Sequence, residues 1–147
     1  MEASSPLYTF EPHPSHSSNF STGHASIDQL NLDRIIAKAV HPLSEMTWSA
    51  GEAVEISELY RVFLFLCYRY PEKTIVPPRE VDEFWHLHIL DTRQYHSDCE
   101  TIFGGYLHHF PYSGLQSGPE IERLEREALN ETLELVRHHF PEVMGEQ

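Results

Sequence analysis

Positive charge is scarce in this chain. Its 147 residues hold ten Lys and Arg against 23 Asp and Glu, for a net charge of -13, and no run of Lys or Arg occurs. A nucleic-acid binder neutralises phosphates with a basic face, and an anionic membrane surface asks for the same. The composition therefore argues against both partners, and the acidity reads as a device for solubility. Cysteine is scarce too. Cys67 and Cys99 cannot make a disulfide framework, and both sit in apolar patterns that suit reduced thiols in a cytoplasmic protein. The longest apolar run, Val62 to Tyr68, is far short of the ~20 residues that span a bilayer. Met1 to Phe10 lacks the basic stretch and apolar run of a signal peptide. Gly-X-Ser-X-Gly, Walker, dinucleotide and His-Glu-X-X-His motifs are all missing.

What is present is a globular composition. Apolar residues make up 40% of the chain, with eight Phe, seven Tyr and two Trp. The length fits one domain that is stable without disulfides or a structural metal. Residues 1–25 are rich in Ser, His and Pro and carry His13, His16 and His24 without an apolar period. They read as a flexible arm. Residues 26–147 read as a single helical domain. A first helix is expected from Ser26, where Ser26 and Gln29 have capping-box spacing, to Pro42. A second starts at Ser49 with Glu52 as the box partner. Its apolar stripe is Ile56, Leu59, Tyr60, Phe63, Leu66, Cys67 and Tyr70, with Glu55, Glu58, Arg61 and Arg69 opposite. A third opens at Pro78 and runs to about Phe103, stopped by Gly104 and Gly105. A fourth begins near Pro119, carries Ile121, Leu124, Ala128, Thr132, Leu135 and Val136 inward, and ends before Pro141. The expectation is an all-α compact bundle of about four helices with a disordered N-terminal arm.

The third helix holds the unusual chemistry. At 100° per residue, Trp85, His88, Asp91, Tyr95 and Cys99 share the apolar face. A buried carboxylate there needs a partner, and His88 lies three residues from Asp91. His86 points some 200° away from His88 and lines up with Asp82 instead. His108 and His109 follow the double glycine in a loop. His88, Asp91 and these loop histidines form an N/O ligand set for zinc or non-haem iron, with His86 joining only if the helix is irregular. Reach is the obstacle. His88 lies about 24 Å along the axis from the end of a continuous helix. A Cys99–His88 nucleophile pair fails on the same ground, being about 16 Å apart. The rival reading is a metal-free protein–protein interaction module, in which His, Asp and Tyr close a buried structural network.

The stretch Val81-Asp82-Glu83-Phe84-Trp85-His86-Leu87-His88, with Tyr95, Asp98-Cys99 and Phe103-Gly104 downstream, resembles the glycine-rich domain-containing protein-like family. The resemblance covers about residues 48–114. With only seven Gly, the chain is similar to the bare helical form. The resemblance implies that Asp82, Trp85, His86, His88, Tyr95, Asp98 and Cys99 mark the site. It implies no particular reaction.

Overall fold

The computed structural model describes residues 21–109 and 118–144, and among these the fold is all-α with no strand. The described helices are α1 (Ala25–Asp28), α2 (Asp33–Ala39), α3 (Ala50–Arg69), α4 (Arg79–Leu90), α5 (Thr92–Phe103), α6 (Pro119–His139) and α7 (Pro141–Met144). Residues 1–20 of the expected arm lie outside the described residues. Residues 21–25 of that arm are held in place: the Asp28 carboxylate accepts from the Ser21 hydroxyl and from the N–H and hydroxyl of Thr22.

The centre of the fold is α3, and its start follows from local sequence. The Glu52 N–H donates to the Ser49 hydroxyl at 3.1 Å, and the Ser49 N–H donates to the Glu52 carboxylate at 2.8 Å. Two of the four N–H groups that a helix start leaves without partners are satisfied this way. Ser49→Ala is therefore expected to destabilise the fold by about 1 kcal/mol in chemical denaturation. An unchanged midpoint would show that the cap contributes nothing.

Helices α1, α2, α4 and α6 all pack against α3. Its middle is consequently buried almost all round, from Ile56 to Tyr60 and again over Val62, Phe63, Leu64 and Leu66. Glu58, expected on the exposed side, is buried, and burial pushes its carboxyl above the usual range. Arg61, also expected to face outward, donates to the Ile27 carbonyl at 2.6 Å and so satisfies the end of α1.

Two expected helices are each divided. The first splits at residues 29–32. His24 caps α1, not Ser26, and the Asn31 side chain accepts from the Asp33 N–H at 3.0 Å. Such a local side-chain bond competes with the helix ladder. The third splits at Asp91, whose φ of -85° and ψ of 72° leave the helical region for a single residue. The fourth ends at Phe140 as expected, and Pro141 then opens α7 at the position that tolerates a missing N–H. Only Thr132 and Val136 of the expected α6 stripe are buried, and Leu124 is 48% exposed. The lower half of α6 is held by Thr132, which accepts from the Val76 N–H, and by His139, which bonds Tyr70.

Candidate functional site

The break at Asp91 creates the site. Ten residues of continuous helix separate side chains by about 15 Å along the axis. Here two pairs ten residues apart meet: the Trp85 indole N–H donates to the Tyr95 hydroxyl at 2.9 Å, and His88 Nε2 lies 2.8 Å from an Asp98 oxygen. With the helix broken, α5 folds against α4, and both pairs close inside the hinge.

His88 is the middle of a chain of hydrogen bonds. It is 2% exposed. Nδ1 lies 2.7 Å from the Tyr60 hydroxyl, and Nε2 faces Asp98, whose other oxygen accepts from Gln94 at 2.8 Å. A carboxylate only accepts, so Nε2 carries the proton and donates. Nδ1 is then the acceptor, and the fully buried Tyr60 hydroxyl donates to it. This is the neutral imidazole with a set tautomer. Burial pulls the His88 pKa below its ordinary value, although the Asp98 bond and the charges of Asp98 and Asp91 pull the other way.

Tyr95 is the second node. Its hydroxyl accepts from Trp85 and donates to the Leu107 carbonyl, which pins the loop after Gly104 back onto the hinge. Gly104 allows that reversal with a left-handed φ of 70°. The Tyr95 ring also meets the His88 ring edge-on at 4.9 Å. Cys99 is buried beside Tyr95, and burial raises its pKa. A thiol held protonated is a poor nucleophile.

The expected site residues divide into four groups. Trp85, His88, Tyr95 and Cys99 come together in the interior. Asp91 does not join them. Its carboxylate pairs with Arg34 of α2 at 3.0 Å, and that carboxylate forms no hydrogen bond with His88. Asp82 is bonded by His109, Nε2 to oxygen at 2.8 Å, rather than by His86. The His109 ring also lies 4.3 Å from that of Trp85. The reach obstacle is thus removed, since the loop returns along α4. His86 and His108 are both exposed, and the His108 ring sits 4.9 Å from that of Tyr106. Spacing could not reveal Tyr60 or Asp98 as His88's partners. Asp98 appeared only within the family-like motif, and Tyr60 only as one more residue of an apolar stripe. Asp91 and Gln94 have the same spacing as the Ser49–Glu52 box, but neither caps α5: Asp91 pairs with Arg34 and Gln94 donates to Asp98.

Among the described residues, no three His, Cys, Asp or Glu side chains are grouped to hold a metal ion. No described helix is long and apolar enough to cross a membrane. A family model described as UCP032817-like matches residues 23–139, which is most of the chain. The chain belongs to the UCP032817-like family. The family match takes in α1 to α6, and so includes every residue of the His88 network and the loop that Tyr95 pins. No curated protein and no solved structure matches this UCP032817-like chain.

Proposed function

We propose that this domain is a metal-free protein-interaction module, in which the Tyr60–His88–Asp98 chain braces the core and the surface does the recognising. One observation carries the reading. Both ring nitrogens of His88 are bonded to protein partners, at 2.7 and 2.8 Å, and the ring is 2% exposed. A metal ligand or general base needs a nitrogen lone pair directed at an open position. His88 has none to offer. The competing zinc or iron reading falls back on Asp82, His86, His108 and His109 near the surface. Of these, Asp82 and His109 are two adjacent donors, and no third joins them among the described residues.

The upper half of α6 supports a protein partner. Ile121, Leu124 and Ala128 continue the stripe of buried Thr132 and Val136, and Leu124 stands 48% exposed among the described residues. Two free cysteines support a cytoplasmic location. The likeness to glycine-rich domain-containing proteins belongs to the same proposal: of its motif residues, His88 and Asp98 belong to the brace, and Trp85, Tyr95 and Cys99 are buried or bonded beside it.

Protein purified without a His-tag is expected to hold less than about a tenth of an equivalent of zinc, iron, copper or manganese, and added metal should leave Tm unmoved. Stoichiometric metal that disappears in His109→Ala would overturn the reading. On the partner side, Leu124→Glu should keep stability within about 0.5 kcal/mol of the parent. A photo-crosslinker placed nearby on α6 should trap a defined protein in the parent and lose it in the variant. Identical crosslinks in both would count against the module.

A further inference from the structure

A groove beside the α4–α5 break collects positive charge on a chain that has little of it. Of the ten Lys and Arg in the chain, Arg34, Lys38 and Arg93 line this one open groove of ≈ 570 Å³. The one carboxylate in the lining, Asp91, is already bonded to Arg34. Three cations less one carboxylate leave the lining with a charge of +2. Lys38 and Arg93 form no ion pair among the described residues, although the chain carries 23 carboxylates. Thr92 and Ser97 add hydroxyl donors to the lining, while the Gln94 amide is spent on Asp98.

We infer that this groove binds a phosphoryl group, carried as a phosphate monoester. The choice of anion follows from charge and shape. A single carboxylate is what Asp91 already supplies to Arg34, so an incoming ligand must offer more charge than that. A phosphate monoester is near dianionic at neutral pH and presents three acceptor oxygens. Arg34 and Arg93 match such oxygens with planar forks, and Lys38 adds a point charge. The net charge of -13 opposes any anion, but salt screens that charge over a Debye length of about 8 Å, whereas the groove's own cations act at contact distance. The ester can belong to a small metabolite or to a phosphorylated side chain, since both present the same group. The inference does not depend on the protein-interaction reading, which rests on His88 and α6.

The test is a titration of the isotope-labelled full chain with inorganic phosphate, at ionic strength held constant with sodium chloride. Saturable shifts are expected in the backbone amides of Thr92, Arg93 and Gln94. A Lys38→Gln, Arg93→Gln double variant should weaken binding by about tenfold or more, given that charge-assisted bonds are the strong ones. Both side chains are exposed, so the variant should keep the parent's denaturation midpoint, and that midpoint is measured alongside. A phosphoserine peptide and a nucleoside 5′-monophosphate form the second arm, and the tighter of the two identifies the source of the group. Shifts that scatter over the surface, shifts that chloride reproduces, or undiminished binding by the double variant overturn the inference. So does failure of both esters to bind.

Discussion

Replacing His88 by alanine is expected to cost the fold about 3–5 kcal/mol of unfolding free energy. Three losses add. The ring is among the largest fully buried side chains, so its removal leaves a cavity. The Tyr60 hydroxyl, also fully buried, loses its acceptor. Asp98, only 13% exposed, loses the donor to one oxygen and keeps Gln94 on the other. His86→Ala is the control. His86 is exposed, and its loss should cost less than about 1 kcal/mol. Chemical denaturation of the two variants side by side decides the matter. A His88→Ala protein as stable as its parent would mean that the network does not brace the core.

The same residue sets a pH dependence whose sign is determined. Burial lowers the His88 pKa below 6.5, so the folded state prefers the neutral ring more than the unfolded state does. Between the two values the unfolded chain binds the extra proton, and stability rises with pH. The stabilisation is complete above about pH 6.5 and is lost as pH falls toward the folded value. Structure shows why protonation is resisted. An imidazolium would put a second N–H toward the Tyr60 hydroxyl, which now donates to Nδ1. Asp98 and Asp91 oppose the effect and moderate it. The difference in stability between parent and His88→Ala should therefore shrink as the pH is lowered from 7 to 5. A difference that widens instead would mean that the folded state holds the ring protonated.

Tyr95→Phe is the next largest effect, at about 2–3 kcal/mol. The ring stays and only an oxygen goes, so packing is conserved. The loss comes from two groups left without partners: the Trp85 indole N–H and the Leu107 carbonyl. Because Leu107 belongs to the returning loop, the damage should be local as well as global. Hydrogen exchange is expected to speed up over residues 105–109, including the segment that carries His109 to Asp82. Unchanged exchange there, together with unchanged stability, would show that the hydroxyl does not pin the loop.

The sequence by itself determined the all-α class, the existence and start of α3, and the inward phase of His88. Each rests on short-range physics. Ser49 and Glu52 satisfy each other's N–H groups within one turn, and Val81, Phe84, Trp85 and His88 share a face because they lie in one unbroken helix. Phase carries only as far as the helix does. Asp91 was placed beside His88 by extending the wheel through a residue where the helix stops, and no Gly or Pro marks that stop. Leaving the helical region at one residue forfeits little, and the fold gains the Trp85–Tyr95 and His88–Asp98 bonds that α5 makes by turning back. That balance exists only once α4 is packed on α3 and α5 on α4. Tertiary structure alone decided which groups serve His88, because Asp98 lies 10 residues away and Tyr60 lies 28 away. Helical spacing pairs side chains three or four apart and is silent beyond that.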